Sequence, residues 1–322
     1  MKRSLGLLVA IALLTGLLAG CAGAPAKDST SGAAGEAAWP RTVEDDYGHR
    51  ITLAEKPERV VVLYYGHIET LIVLGHPPVG AALAHTAMRG FETLERYADK
   101  IEIIDVGDPS KPNLERILEV APDLIIGTAT HTGAYDDLSK IAPTVLFNSE
   151  DWAANLYDYA ECLGAEKEAE QYIADVDALM TDAREKLSEY KDKTFFIAFD
   201  LGKNTFGAIG TKVTRQQVFF DDETGLGLTA PAGSPEEFGQ IALESLAEFD
   251  PDYIFIIGKL GSEKTGYEPT FLEAGTADSN IWKSLKAVQA GNAYFLDPAC
   301  MTGSPLGIKL AIETIADSVV LH

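Results

Sequence analysis

The chain has 322 residues, enough for two lobes of ordinary size, and 46% of them are hydrophobic, which excludes global disorder. Lys and Arg number 26 against 49 Asp and Glu, a net charge of −23; so acidic a surface argues against nucleic acid, whose phosphates need clustered basic side chains. With 3 cysteines and no CxxC pair, a disulfide-framework mini-protein is excluded.

The N-terminus reads as an export signal over residues 1–20. Lys2 and Arg3 precede an uncharged run from Leu5 to Ala19, too short for a spanning helix of ~20 residues and suited to a signal sequence. The run closes on Leu18-Ala19-Gly20-Cys21, which resembles a bacterial lipobox. That resemblance implies cleavage before Cys21 and a diacylglycerol on its sulfur, so the protein is held at a membrane surface rather than through it. Residues 22–38 are small, polar and aperiodic, which predicts, with Cys21, a flexible tether over 21–38 that reaches ~20–25 Å.

Beyond the tether the chain alternates apolar runs with helical patterns. Arg59–Tyr64, Leu124–Ile126, Thr144–Phe147, Thr194–Phe199, Tyr253–Ile257 and Ala293–Leu296 predict buried, mainly parallel strands. Leu114–Ile125 and Leu243–Ile254 align at a constant offset of 129 residues, sharing Leu, Glu, Glu, Pro, Asp and Ile. Each copy predicts a short amphipathic helix, a Pro-Asp stop and a strand. The reading is α/β: two lobes with mainly parallel sheets, at 39–163 and 194–322, joined by one long helix within 164–193. Ala165–Lys191 has no Gly or Pro and carries an apolar face through Ala169, Tyr172, Ile173, Val176, Leu179, Met180, Ala183 and Leu187. Helical throughout, it would span ~40 Å. Cys162 and Cys300 are expected as free thiols.

Several catalytic signals fail for lack of context. Gly225–Ala230 matches GxGxxA but follows acidic residues rather than a strand. His67-Ile68-Glu69 starts like HExxH without the second His, and no P-loop or GxSxG occurs. Asp221, Asp222 and Glu223 read as a solvated acidic loop.

Signal, tether, lobe, long helix and lobe together resemble the substrate-binding lipoproteins of bacterial ABC importers, more narrowly those for ferric siderophores, haem and corrinoids. The matching stretches are Asp46–His49 with Pro57–Val61, Val106–Pro109 with Asn113–Ile117, Pro122–Ile125, Leu138–Thr144, Asp250–Tyr253, Trp282–Val288 and Gly291–Asp297. The resemblance implies a helical-strut fold with limited lobe closure, an extracytoplasmic lipid-anchored monomer, and no catalysis and no cofactor. The ligand it implies is a ferric siderophore whose iron is carried by the chelator. It also implies that a glutamate of each lobe, Glu115 and Glu244, docks on the permease. Both sit in the first turn of a helix, where a carboxylate also complements the helix dipole.

Ligands of α/β sheets lie at the C-terminal ends of strands. The candidate contacts are therefore Tyr65, His67, Met88, Arg89, His131, Tyr135, Lys212, Arg215, Lys259 and Met301. Ferric catecholates and citrates are anionic and need cations; Lys212, Arg215 and Lys259 occupy places where catecholate binders of the family carry arginines. A hydroxamate complex, neutral or cationic, would suit the acidic surface. Haem or corrinoid capture is the alternative in the same class, with axial candidates at 67, 85, 88, 131 and 301. An exported hydrolase on a similar scaffold is the alternative from another class.

Overall fold

The computed structural model describes residues 39–149, 151–213, 217–263 and 266–321. The export signal, Cys21, the tether and Arg215 lie outside the described residues.

Two five-stranded sheets form the cores. In the first lobe the spatial order is Ile104–Asp105, Gly80–Ala81, Val60–Val62, Leu124–Gly127 and Thr144–Leu146, all parallel. In the second it is Gly239–Ala242, Thr205–Ala208, Phe195–Gly202, Tyr253–Ile257 and Ala293–Leu296. The last three are parallel, and the first two complete an antiparallel edge. The central strands are apolar on both faces because helices cover both sides; Val60–Val62 and Tyr253–Ile257 are buried at every position.

The internal repeat is structural. Leu114–Val120 and Leu243–Phe249 are equivalent seven-residue helices. Each ends on a left-handed non-glycine residue, Ala121 (φ 49°) and Asp250 (φ 41°), a conformation that costs roughly 1–2 kcal/mol. The Pro-Asp that follows recovers that cost. Asp123 accepts from Glu58 N–H at 2.8 Å and Arg59 N–H at 2.9 Å, while its own N–H donates to Arg59 O at 3.0 Å. Asp252 repeats the arrangement, accepting from Thr194 N–H at 2.9 Å and Thr194 Oγ1 at 3.0 Å and donating to Thr194 O at 3.0 Å. Each carboxylate so fixes the entry of the neighbouring central strand.

The Asp45–His49 turn pins the edge of the first lobe. Asp45 is 5% exposed and accepts from the N–H groups of Tyr47, His49 and Leu146. Gly48 takes φ +81°, which the turn requires of it.

The long helix runs Glu166–Leu187, ~33 Å. It is shorter than the apolar pattern suggests because Ser188–Tyr190 tightens into a 3₁₀ turn. Ala169 packs in the first lobe's core and Val176, Met180, Ala183 and Leu187 in the second's. The C-terminal helix Pro305–Val320 lies along it. Cys162 and Cys300 are both buried free thiols. Among the described residues no helix is long and apolar enough to cross a membrane.

Replacing Asp252 with Ala should lower unfolding free energy by about 1 kcal/mol, because it removes the acceptor of the half-buried Thr194 donors at the strand entry. Urea denaturation checks this; an unchanged midpoint would show that the clamp contributes nothing.

Candidate functional site

The C-terminal strand ends of the two sheets face each other across a cleft. Two adjoining depressions occupy it, both walled by Tyr64 and Thr302. The smaller, about 170 Å³, is lined by His67, Thr128, Ala129, Thr130, Phe147, Asn148, Ser149, Trp152, Asn155 and Gly303 as well. The larger, about 360 Å³, is lined in addition by Tyr65, Phe199, Gly258, Lys259, Leu260, Pro298 and Met301. Tyr64 and Tyr65 leave the Val60–Val62 strand with their rings 4.6 Å apart. Phe199 lies at the corresponding level of the second lobe's first strand, one residue past its parallel pairing with Tyr253–Ile256.

The electrostatics of the cleft differ from those of the chain. Among the described residues Lys259 is the one Lys or Arg in the lining, and no Asp or Glu contributes to it. The lining is aromatic rings, hydroxyls and amides. Asn155 Oδ1 is buried without a hydrogen-bond partner among the described residues, an acceptor that a ligand donor or water can satisfy.

His67 is 8% exposed and its Nδ1 is engaged by the Tyr159 hydroxyl. Burial pushes the Tyr159 hydroxyl well above the ordinary tyrosine range. Tyr159 therefore keeps its proton, and its hydroxyl orients the His67 ring toward the cleft.

Four of the expected contacts line the cleft: Tyr65, His67, Lys259 and Met301. Five others lie elsewhere. Met88 is 9% exposed within the first lobe's core, and with Arg89 it borders a separate groove of that lobe. The Arg89 guanidinium sits 5.0 Å from the centroid of the Tyr267 ring. His131 is 2% exposed, with Nδ1 accepting from Thr128 N–H at 3.0 Å and Nε2 donating to Pro109 O at 2.7 Å. Burial lowers its pKa, so it is a neutral loop brace with no nitrogen left for a ligand. Tyr135 stacks on His49 with ring centroids 3.6 Å apart. Lys212 pairs with Glu236 at 2.8 Å on the surface. Of the axial haem candidates, His85 also borders the separate groove, leaving His67 and Met301 in the cleft.

Tyr64, Trp152, Asn155, Phe199 and Thr302 were not among the expected contacts. The strand-end rule reaches Tyr64 and Phe199 directly, and reaches Trp152 when extended past Phe147. Asn155 carries no such signal: it faces the cavity one helical turn after Trp152, through packing of the Trp152–Leu163 helix.

Glu115 and Glu244 are exposed in the first turns of the two equivalent helices.

Two α/β lobes on one helical strut, with a cavity walled by the strand ends of both, define a solute-binding protein. The periplasmic binding protein family model matches residues 60–300, and the chain belongs to that family. Among relatives, the Bacillus subtilis (strain 168) protein named "Probable siderophore-binding lipoprotein YfiY" is 29% identical, aligned over 98% of this chain and 97% of its own. The iron(3+)-hydroxamate-binding protein FhuD of the same organism is 28% identical over 98% of each chain. A solved Bacillus subtilis structure, described as a periplasmic binding protein component of a Fep/Fec-like ferrichrome ABC transporter, superposes with a TM-score of 0.67 at 26% identity. It covers 86% of this chain and 99% of that one.

Glu69, on the His67–Val73 helix behind the cleft, is 0% exposed, and burial raises its carboxyl to about 7 from the ordinary 4.5. The folded state therefore holds this proton more tightly than the unfolded chain does. Its contribution to stability falls as pH rises from about 4.5 to about 7 and levels off above, a swing of about 3 kcal/mol. Urea denaturation at pH 5 and pH 8 should show that slope reduced in Glu69→Gln relative to wild type; equal slopes would place the titration elsewhere.

Proposed function

We propose that the chain is an extracytoplasmic lipoprotein that captures a ferric siderophore between its lobes and hands it to an ABC permease. The observation that carries this reading is the cleft lining, which among the described residues has rings, hydroxyls and amides with one ammonium and no carboxylate, on a chain of net charge −23. A lining of that kind binds the organic shell of a chelate by stacking and hydrogen bonding. Among the described residues it offers no carboxylate to compete with the chelator for the iron. The names of the relatives point to the same ligand class. Lys259 supplies the attraction an anionic complex needs, and among the described residues no carboxylate of the lining opposes it.

Delivery rests on Glu115 and Glu244. Both crown helices that follow the same local plan in each lobe, so a two-fold permease would meet two similar acidic knobs. The lipobox-like Leu18–Cys21 supports anchoring at the outer face of the membrane.

Titration of the full chain with ferric citrate, a ferric hydroxamate, a ferric catecholate and haem, followed by tryptophan quenching, tests capture. At least one ferric chelate should saturate the protein. Trp152→Ala should weaken that complex at least tenfold, or about 1.4 kcal/mol. No saturable binding by any ferric chelate would remove the proposal, and haem binding with a shifted Soret band would replace it. A separate assay addresses delivery. Glu115→Lys with Glu244→Lys should abolish chelate uptake by cells while leaving the affinity within threefold; uptake at wild-type rate would exclude these two as docking residues.

A further inference from the structure

We infer that Glu69 is the positioning residue that sets one wall of the ligand cleft from behind, through a hydroxyl relay that crosses from one lobe to the other; the inference rests on the cleft being the ligand site. The wall is the segment Asp297–Ser304, which joins the last strand of the second lobe to the C-terminal helix and turns through a 3₁₀ helix at Pro298–Met301. It presents Met301, Thr302 and Gly303 to the cleft. Cys300 of this segment packs in the second lobe's core, but further supports come from the first lobe.

At the far end of the segment, the Ser304 hydroxyl donates to Glu69 Oε2, and the Thr93 hydroxyl donates to Glu69 Oε1. Ser304 Oγ also accepts from Gly307 N–H at 3.1 Å, capping the C-terminal helix, and from the Thr302 hydroxyl at 2.8 Å. Thr302 Oγ1 in turn accepts from Ser304 N–H at 3.2 Å, and Ala299 O, also at 2.8 Å, is the other acceptor within reach of its single proton. Polar contacts thus run without a break from a carboxylate in the first lobe to a side chain that walls both depressions. At the near end, Asp297 Oδ2 accepts from Glu92 N–H of the first lobe at 3.1 Å, and Ala299 packs in that lobe's core.

A carboxyl group buried this completely persists only where donors meet it. Here both oxygens are met, and one of the donors comes from the other lobe. A leucine of similar volume would fill the space but would leave Ser304 and Thr93 without an acceptor. The Ser304 hydroxyl would then rotate, and the Thr302 wall would lose its backing. Glu69 touches no ligand, yet the shape of the cleft depends on it.

The test compares Glu69→Leu, Glu69→Gln and Thr93→Val in the full chain. One readout is the affinity for ferric citrate and for a ferric trihydroxamate, and the other is hydrogen exchange of residues 298–304 without ligand. Glu69→Leu should raise Kd at least tenfold and speed exchange at 298–304 at least tenfold, with helices elsewhere still protected. Glu69→Gln keeps an acceptor for Ser304 and should restore both values to within threefold of wild type. Thr93→Val, which keeps the shape and removes one donor, should fall between them, and it decides the matter if the leucine variant does not fold. Wild-type affinity and exchange in Glu69→Leu, or equal losses in the leucine and glutamine variants, would overturn the inference. If the wild-type chain binds neither probe, the ligand reading fails separately and the exchange readout decides the positioning role alone.

Discussion

One carboxylate in each lobe sets the geometry on which the cleft depends. Asp123 and Asp252 hold the entry of the neighbouring central strand through backbone N–H groups. Parallel strands lack a hairpin to define their register, so a fixed start determines where each strand ends. The ends that matter are Tyr64–Tyr65 in one lobe and Phe199 in the other, which line the larger depression. The same Pro-Asp unit stops the preceding helix, so the helices that carry Glu115 and Glu244 receive matching placements in both lobes. Shifting either clamp by one residue would turn the strand's side chains to the opposite face.

Much of this is legible in the residues. The Pro-Asp repeat, the apolar runs and the uninterrupted Glu166–Leu187 pattern carry the fold because each reports a local, periodic preference. The cleft is legible only in part. Tyr65 and His67 follow directly from a strand end. His131 looks like a ligand in sequence and is a brace in the structure, because both its nitrogens meet backbone atoms that no motif encodes. Lys212 lies in a stretch with the right chemistry, but Glu236 neutralises it from a loop more than twenty residues away. Asn155 and Thr302 have ordinary sequence surroundings, and only tertiary packing brings them to the cavity.

The distribution of charge connects the fold to its use. The excess of carboxylates lies outside the cleft, where it keeps the protein soluble and favours meeting a basic partner. Among the described residues Glu69, buried, and Asp297, half-buried, approach the cleft from behind, and each is held by donors. Burial raises their pKa values to about 7 and about 6. Neither lines the ligand space, so the cavity itself stays free of fixed negative charge.

The long helix has a further consequence. Ala169 belongs to one core, and Val176, Met180, Ala183 and Leu187 belong to the other. Melting either lobe strips one side of that helix, and most of a helix's stability in a protein comes from such packing. The lobes therefore cannot lose structure one at a time. Heating should take the protein through a single calorimetric transition, and a force applied to one lobe strains the other through the same rod.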